Sequence, residues 1–348
     1  MMNNFSETII SWYQINKRDL PWRDTTNPYY IWLSEIILQQ TRVDQGLPYY
    51  IKFVAAFPTI QDLARASQDE VLRLWQGLGY YSRGRNLHFT ANQVVTDFDG
   101  FFPNNYDDLL KLKGVGNYTA AAIASFCWNQ KKAVVDGNVY RVLARYFGVE
   151  SDISLTSSQK DFQNLANELL NSKKPGLHNQ AIMEFGALQC VPKQPNCMSC
   201  PLQSTCIAFS NKMVETLPIK TKKVKIKSRY FNYIVVKWRQ QTFIKRRLAG
   251  DIWEGLYEFP LIETDMELDE KSILDSQEFN SILSNSNYEI TSVSAQVKHQ
   301  LTHQTIFCKF FNIEMKKMTN INGFERVLWS DLENFPKPTL IQRFYINN

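Results

Sequence analysis

Apolar and polar residues follow two different periods along this chain, and the period changes near residue 228. Before that point, apolar residues recur every three or four positions, which predicts helices over 5–16, 29–43 and 60–76. After it, short runs in which apolar and polar residues alternate predict strands. The predicted strands are 230–238, 241–244, 256–259, 297–302, 306–313 and 326–329. The pattern predicts an all-α domain followed by an α+β domain, with helical pieces of the latter around 269–283 and 332–335.

Length and composition fit a globular protein of two domains. The chain has 348 residues, more than one domain usually contains, and 44% of them are hydrophobic. Its first residues, Met-Met-Asn-Asn-Phe-Ser-Glu, lack the charged-then-apolar layout of a secretory signal. Its apolar runs are shorter than the roughly 18 residues that a membrane helix needs. We therefore expect a cytoplasmic protein with no membrane partner.

Basic residues are concentrated in one stretch of a chain whose net charge is +5. The stretch 220–229 contains six lysines or arginines and no acidic residue. It is either a solvated linker that enters a strand or a basic strap across a phosphate backbone, and the two interpretations are compatible.

Four of the six cysteines lie within seventeen residues, with the spacing C-x6-C-x2-C-x5-C. They are Cys190, Cys197, Cys200 and Cys206. Four thiolates so close together need a cation, and both zinc and a 4Fe–4S cluster accept four cysteine ligands. Structural zinc usually sits between two separated pairs, so one C-x2-C flanked by single cysteines favours 4Fe–4S; disulfides or free thiols are the third alternative. The other two, Cys127 and Cys308, are interpreted as ordinary buried residues of a protein in a reducing compartment.

Glu35 interrupts an apolar segment of the predicted helix 29–43. It is either a residue of the solvated face or a carboxyl whose ionised form is disfavoured by its apolar neighbours. In the second case its pKa is raised, as a general acid near neutral pH requires.

The segment 77–85, Gly-Leu-Gly-Tyr-Tyr-Ser-Arg-Gly-Arg, combines glycines, aromatic residues and arginines. Glycines allow a close approach of the backbone, aromatic rings can wedge between bases, and arginines pair with phosphates. The alternative is a helix–helix connection with two core tyrosines.

The segment 109–120 predicts a short apolar helix, a tight Gly-Val-Gly turn and a second helix. Backbone N–H groups of the turn and the N-terminus of the second helix would form an anion site. This layout is a helix-hairpin-helix, which grips a nucleic-acid backbone without reading sequence.

Asp136 directly precedes the next apolar periodicity, which starts at Val139. It is either an ordinary helix N-cap or a second catalytic carboxylate beside Glu35. The sequence does not give the distance between the two.

Taken together, these motifs resemble the helix-hairpin-helix DNA glycosylases, and in particular the adenine DNA glycosylases of the MutY type. The matching stretches are LPWR at 20–23, WLSEIILQQT at 32–41, GLGYYSR at 77–83, LKGVGNYTA at 112–120, VVDGNVYRV at 134–142 and the cysteine loop. The resemblance implies an all-α glycosylase domain over 1–214, a basic linker over 215–227 and a Nudix-like domain for 8-oxoguanine recognition over 228–348. Within the first domain, it implies a six-helix barrel (23–130) and a 4Fe–4S lobe (1–22 and 131–214).

The resemblance also implies the reaction. Adenine paired with 8-oxoguanine or guanine in double-stranded DNA is flipped into the cleft between the lobes. Glu35 then protonates the base at N7, Asp136 stabilises the oxocarbenium-like sugar, and water completes the hydrolysis. Tyr118 and Asn138 support the site. Because Tyr118 stands where the endonuclease III-like enzymes have a Schiff-base lysine, a monofunctional glycosylase that leaves an abasic site is expected.

Further contacts are implied in the same way. Trp22, Arg23 and Val43 would line the adenine pocket, and Gln40 and Tyr80 would insert near the lesion. Gly114, Val115 and Gly116 would hold a phosphate of the DNA.

The family's F-[ST]-H recognition loop aligns with Leu301-Thr302-His303. Thr302 and His303 fit the 8-oxoguanine-binding pattern, whereas Leu301 replaces an aromatic residue; His303 alone could also be an ordinary strand-end histidine. The Nudix catalytic box G-x5-E is absent, since none of the three glycines after residue 226 is followed by glutamate at the sixth position. No pyrophosphatase site is therefore expected.

Two other functions compete with this interpretation. A bifunctional pyrimidine glycosylase of the endonuclease III kind is disfavoured by Tyr118 and by the extra domain. A non-catalytic iron–sulfur DNA-binding protein would tolerate Glu35→Gln. We expect a monomer, associated with the nucleoid if bacterial, whose cluster holds the 190–206 loop so that Lys193 reaches DNA.

Overall fold

A computed structural model of the chain describes residues 2–221, 226–283, 287–317 and 320–347. The structure has two compact units: a helical unit of residues 1–65 and 86–222, and a sheet unit of residues 66–85 and 223–348. The segment 66–85, expected within the helical barrel, therefore groups with the C-terminal residues; the boundaries implied by the resemblance stay a prediction. Part of the basic stretch, residues 222–225, lies outside the described residues.

Helices account for most of the first 210 residues, as the apolar period predicts. In chain order they are α1 (Met2–Asn16), α2 (Pro28–Leu38), α3 (Val43–Ala56), α4 (Ile60–Arg65), α5 (Gln68–Trp75), α6 (Tyr81–Asp97), α7 (Tyr106–Leu109), α8 (Asn117–Trp128), α9 (Gly137–Phe147), α10 (Thr156–Leu169), α11 (Pro175–Leu188) and α12 (Ile207–Ser210). Short 3-10 helices lie at Pro21–Arg23, Cys197–Ser199 and Gln203–Thr205. No helix of the described ranges is long and apolar enough to cross a membrane.

The predicted helix over 29–43 is wrong at its C-terminal end. It starts as expected, with Pro28 in the first turn and the Asn27 side chain accepting a hydrogen bond from the Tyr29 amide. It ends at Leu38 because Gln40 adopts a left-handed backbone conformation with φ 56°. A separate helix, α3, begins at Val43.

The helix-hairpin-helix prediction is confirmed by the backbone of 106–128. Gly114, at φ +76°, provides the positive φ that the tight turn requires, and an added Cβ there would meet Asn86 at 3.1 Å. Gly116 is the N-cap residue of α8. Inside the unit, α1, α8, α9, α10 and α11 surround one hydrophobic core that includes Phe5, Phe162 and Phe185.

The sheet unit contains a mixed eight-stranded sheet. Its strands are β1 (Lys227–Trp238), β2 (Gln241–Arg246), β3 (Tyr257–Glu258), β4 (Leu261–Thr264), β5 (Tyr288–Val293), β6 (Val297–Gln300), β7 (Gln304–Met315) and β8 (Glu325–Leu328). The main path runs β3-β2-β1-β7-β5, with β4 on β1, β6 on β7 and β8 on β2. The long strands β1 and β7 are parallel, and Arg229 pairs with Ile306 in their register.

Most predicted strands are confirmed, including the β1–β2 hairpin. The sequence analysis did not find β4, β5 or the last helix, α15 (Thr339–Ile346). The helical pieces α13 (Glu270–Leu274) and α14 (Gln277–Leu283) occupy the predicted region, and a 3-10 helix spans Ser330–Asn334. In the segment 66–85, Gly77 and Gly79 have positive φ, and Tyr80 shares this conformation at φ 48°.

Candidate active site

The helical unit contains a cavity of about 170 Å³, here called the carboxylate cavity. It brings together seven residues that the sequence analysis placed at the catalytic site or the adenine pocket: Trp22, Arg23, Glu35, Val43, Tyr118, Asp136 and Asn138. These residues come from separate helices and turns of the chain, so only folding makes them neighbours.

Glu35 is delivered to this cavity by α2 and is 7% exposed. Burial raises the pKa of Glu35 to about 7, and the negative charge of Asp136 acts in the same direction. A hydrogen bond with the Tyr118 side chain and the charge of Arg23 partly offset the rise. A substantial share of Glu35 is therefore protonated near neutral pH, as proton donation requires.

Tyr118 lies in the first turn of α8 and is half-buried. Its hydroxyl hydrogen-bonds the Glu35 carboxyl and lies 3.8 Å from the sulfur of Met183. Burial and the two neighbouring carboxylates raise the pKa of Tyr118 well above its usual value. Its phenol thus stays neutral and offers a hydrogen bond, not a nucleophilic amine.

Asp136 is the N-cap of α9, as its position before Val139 predicts. Its Oδ1 accepts hydrogen bonds from the backbone amides of Asn138 and Val139 at 2.9 and 2.8 Å. Its Oδ2 accepts one from the Asn138 side chain at 2.9 Å. Burial raises the pKa of Asp136, although these bonds oppose the rise. The two interpretations of Asp136 are therefore compatible, because the capping bonds also fix its orientation in the cavity.

Arg141 connects Asn138 with the cysteine loop. Its Nη2 donates to Oδ1 of Asn138 at 2.8 Å and to the Gly186 carbonyl at 2.6 Å, while its Nε donates to the Cys190 carbonyl at 2.7 Å. The sequence analysis did not single out Arg141. In the sequence, Arg141 is only an arginine five positions after Asp136, and its role becomes visible only from its hydrogen bonds in the structure.

The cavity also contains a buried carboxylate that the sequence analysis missed, Glu184 of α11. Arg18 and Arg23 each contact both of its oxygens, at 2.5 to 2.9 Å. Burial alone would raise the pKa of Glu184, but the bonds from the two arginines outweigh it and lower the pKa to about 2. Glu184 is therefore ionised, in contrast to Glu35. The sequence did contain a sign of this residue, because Glu184 is the only acidic residue in the stretch 175–188.

Five proposed DNA contacts of the helical unit lie outside the carboxylate cavity's lining. Gln40 is exposed in the turn between α2 and α3. Gly114 and Gly116 are exposed in the hairpin, whereas the Val115 side chain is buried. Lys193 is exposed in the cysteine loop.

The sheet unit has its own cavity of about 390 Å³, here called the sheet-unit cavity. It brings together Tyr80, Leu301, Thr302 and His303. The Tyr80 hydroxyl hydrogen-bonds the Thr302 hydroxyl, and both residues are exposed. Trp253, which the sequence did not single out, also lines this cavity. Two sequence motifs 222 residues apart thus meet at one site.

The four cysteines of the loop line a third, small cavity of about 30 Å³ in the helical unit. Arg145 also lines it; its Nη1 lies 3.5 Å from the Cys190 sulfur, and its other bonds reach the carbonyls of Val191, Pro192 and Leu217. Within the described ranges no three histidine, cysteine or acidic side chains are close enough to hold a single metal ion. Four sulfurs spread around a cavity, with a buried guanidinium beside them, fit a multinuclear anionic cluster better than one tetrahedral ion.

Comparisons with known proteins agree with this architecture. A family described as "HhH-GPD superfamily base excision DNA repair protein" matches residues 33–171, and a NUDIX domain family matches residues 232–346. The fold and the two-carboxylate cavity thus define a helix-hairpin-helix base-excision protein with an appended Nudix domain.

Similarity to individual proteins shows which family of base-excision proteins the chain belongs to. The adenine DNA glycosylase of Buchnera aphidicola subsp. Baizongia pistaciae is 34% identical over 338 residues, which cover 95% of this chain and 92% of that protein. The corresponding protein of Buchnera aphidicola subsp. Schizaphis graminum is 33% identical and covers 96% of each chain. A solved thermostable thymine-DNA glycosylase superposes with a TM-score of 0.56 at 31% identity, covering 60% of this chain and 97% of that one. The chain belongs to the adenine DNA glycosylase family, which confirms the predicted family and fold.

Proposed function

We propose that this protein hydrolyses the N-glycosidic bond of adenine paired with 8-oxoguanine or guanine in duplex DNA and leaves an abasic site. The observation that carries the proposal is the pairing of two differently tuned carboxyls, Glu35 and Asp136, in one cavity of the family's helical domain. In a glycosidase-type mechanism the general acid needs a raised pKa, as Glu35 has. A second carboxylate in a fixed position, such as Asp136, can stabilise the positive charge that develops on the sugar.

The reaction begins when the flipped adenine accepts a proton at N7 from Glu35. Protonation makes the base a neutral leaving group, so the bond to C1′ breaks with its electron pair moving to the base. The resulting positive charge on the sugar is stabilised by Asp136, whose position is fixed by its bonds from Asn138 and Val139. Water then adds to C1′ and loses a proton, which restores the acid.

Adenine itself is proposed to lie against Trp22, Arg23 and Val43, which line the same cavity. The Trp22 ring is held by an edge-on contact with Tyr50 at 4.9 Å, and Arg23 is held by Glu184. These contacts fix both residues before a base arrives, which supports their role in binding a flipped base.

DNA is proposed to contact Gln40, the Gly114–Gly116 hairpin and Lys193 in the helical unit, and Tyr80 in the sheet unit. The hairpin supports a phosphate contact because its exposed glycines lead into the N-terminus of α8. In the sheet unit, Thr302 and His303 are proposed to contact 8-oxoguanine, with hydrogen-bonding groups exposed at one cavity.

We further propose that Cys190, Cys197, Cys200 and Cys206 hold a 4Fe–4S cluster. When bound, the cluster would cross-link the 190–206 loop and so present Lys193 to DNA. Iron and sulfide analysis of purified protein, with Cys200→Ser as the comparison, tests the ligand set: the variant should contain much less iron. We also propose that the protein works as a cytoplasmic monomer, which would be associated with the nucleoid if the cell is bacterial.

The first test is single-turnover reaction of a duplex with one adenine opposite 8-oxoguanine, analysed with and without hot alkali. Strand breakage only after alkali is expected, because excision leaves an alkali-labile abasic site. Breakage without alkali, with a protein–DNA adduct trapped by borohydride, would instead indicate lyase chemistry. No breakage in either condition, by protein that contains its cluster, would favour a non-catalytic DNA-binding role.

A further inference from the structure

Arg229 of β1 contacts two residues that line the sheet-unit cavity, Asp251 and Gln304. Its side chain is only 9% exposed. It donates to both oxygens of Asp251 at 2.6 and 2.7 Å and to both oxygens of Glu263 at 2.6 and 2.7 Å. Its Nη1 also donates to Oε1 of Gln304 at 3.1 Å. A planar guanidinium shared by two bidentate carboxylates has a fixed position and orientation.

Gln304 ends the four-residue turn that carries Thr302 and His303. The turn is closed by the Leu301 amide, which donates to the Gln304 carbonyl at 2.8 Å. The His303 carbonyl accepts from the Lys227 amide at 3.0 Å. The hydrogen bond that Arg229 donates to the Gln304 side chain therefore anchors the turn to β1, the strand with which the backbone of the turn already pairs.

Asp251 begins a second wall of the cavity, the lining segment 251–253. Besides Arg229, its carboxylate accepts from the Ile252 amide at 2.7 Å and from Arg247 at 2.6 Å. The bond from Arg229 is the largest cause that lowers the pKa of Asp251, to about 2, so the group is ionised at neutral pH. Two residues later Trp253 has φ +60°, a conformation that a bulky residue adopts only when its surroundings hold it.

We propose that Arg229 is a positioning residue for lesion recognition, because it fixes the Thr302–His303 turn relative to the Asp251–Trp253 wall. The inference rests on the proposed recognition of 8-oxoguanine by that turn. 8-Oxoguanine differs from guanine only by the oxygen at C8 and the hydrogen on N7. Hydrogen bonds to those atoms weaken steeply with small errors in distance and angle, so the spacing of the two walls determines how well the bases are distinguished.

The primary test is Gln304→Leu, which removes the link from Arg229 to the turn and leaves the four carboxylate bonds in place. Equilibrium binding and single-turnover excision are measured on duplexes with adenine opposite 8-oxoguanine and opposite guanine. We expect roughly tenfold weaker binding of the 8-oxoguanine duplex, unchanged binding of the guanine duplex, and an unchanged rate at saturating DNA. Equal losses on both duplexes, or no loss on either, would overturn the proposal.

Gln304→Glu separates positioning from direct contact. A glutamate keeps the acceptor for Arg229 and should restore the preference for 8-oxoguanine. If Gln304 instead touched the DNA itself, the added negative charge would impair binding as much as leucine does, and that outcome contradicts the proposal.

Arg229→Lys and the control Arg246→Met complete the set. Lysine keeps the charge but cannot bond two carboxylates and an amide in one plane, so the preference should fall as in Gln304→Leu. Arg246 pairs with Asp69 in the same unit and does not line the sheet-unit cavity, so its variant should keep the preference. If the unaltered protein showed no preference for 8-oxoguanine, the proposed lesion specificity itself would be refuted. If the unaltered protein showed the preference and Gln304→Leu kept it, only the role of Arg229 would be refuted.

Discussion

Glu35 and Asp136 lie in one cavity, and the negative charge of Asp136 raises the pKa of Glu35 beyond the effect of burial alone. Like charges so placed cannot both ionise easily, so one carboxyl keeps its proton while the other stabilises positive charge. The sequence places the two residues 101 positions apart, and the fold makes them a pair.

The pH dependence of excision should follow Glu35. Because the acid must be protonated and its pKa is about 7, the single-turnover rate should approach a plateau near pH 6, fall to about half of it at pH 7 and decrease about tenfold per pH unit well above pH 7. Rates at saturating DNA between pH 6 and 9 test this. Glu35→Gln should lose nearly all activity at every pH while it retains DNA binding. A rate that stays constant up to pH 9 would contradict the role of Glu35 as the acid.

Glu35→Gln should also stabilise the fold at alkaline pH. The pKa of Glu35 is about 7 when folded, above its ordinary value of 4.5, so the folded state binds more protons between these values and loses stability as pH rises through them. At pH 8 the cost of the ionised group is about 3 kcal/mol. We expect the variant to gain roughly 1–3 kcal/mol in the free energy of unfolding at pH 8 and little at pH 4.5. Urea unfolding at both pH values measures the difference, and an equal gain at both would argue against the ionisation as its cause.

Asn138→Ala should slow the chemical step more than it weakens DNA binding. The substitution removes the bond to Oδ2 of Asp136 and the acceptor that Arg141 contacts at 2.8 Å, so the carboxylate loses one of its fixed partners. We expect a loss of about 10- to 100-fold in single-turnover rate at saturating DNA. Arg141→Met should show a smaller loss of the same kind, because the Asn138 side chain is still present to bond Oδ2 of Asp136. Rates within twofold of the unaltered protein would show that the orientation of Asp136 does not limit the reaction.

Gly186→Ala should destabilise the helical unit although alanine favours helices. A Cβ at Gly186 of α11 would lie 2.7 Å from the Asn138 Cβ and 2.9 Å from its carbonyl oxygen, so α9 and α11 would have to separate. Such overpacking costs about 1–3 kcal/mol, against about 1 kcal/mol gained from helix propensity. We expect a lower Tm and slower excision. Gly137→Ala is the matched control for stability, because no atom lies within 4 Å of its added Cβ. A Tm equal to that of the control would refute the packing argument.

Local signals in the sequence predicted several features of the helical unit correctly. The apolar period located the helices, Asp136 was recognisable as an N-cap, and the Gly-Val-Gly turn marked the hairpin. Such features depend on interactions between residues a few positions apart, which a sequence displays directly. The boundary at Leu38 was missed because Val43 continues the apolar period of the preceding helix, and because the positive φ of Gln40 is not marked by a glycine.

Contacts between residues far apart in the sequence determined the features that the sequence did not predict. The strands β4 and β5 were not predicted, and they form by pairing with β1 and β7. Residues 66–76 were predicted as part of a helix and 77–85 as a glycine-rich segment. Both nevertheless group with the sheet unit, where Arg246 pairs with Asp69 and Tyr80 meets Thr302.

The sequence by itself thus determined the family and the two types of domain, and it proposed candidate residues for the chemistry. Only the tertiary structure decided what each ionisable group can do: Glu35 and Glu184 are both lone acids in apolar helices, yet one pKa is raised to about 7 and the other is lowered to about 2. The difference arises because Glu184 receives two guanidinium groups from the N-terminal segment, whereas Glu35 faces a phenol and another carboxylate. A pKa depends on the charges and hydrogen bonds that folding brings within a few ångströms, and distance in the chain does not reveal them.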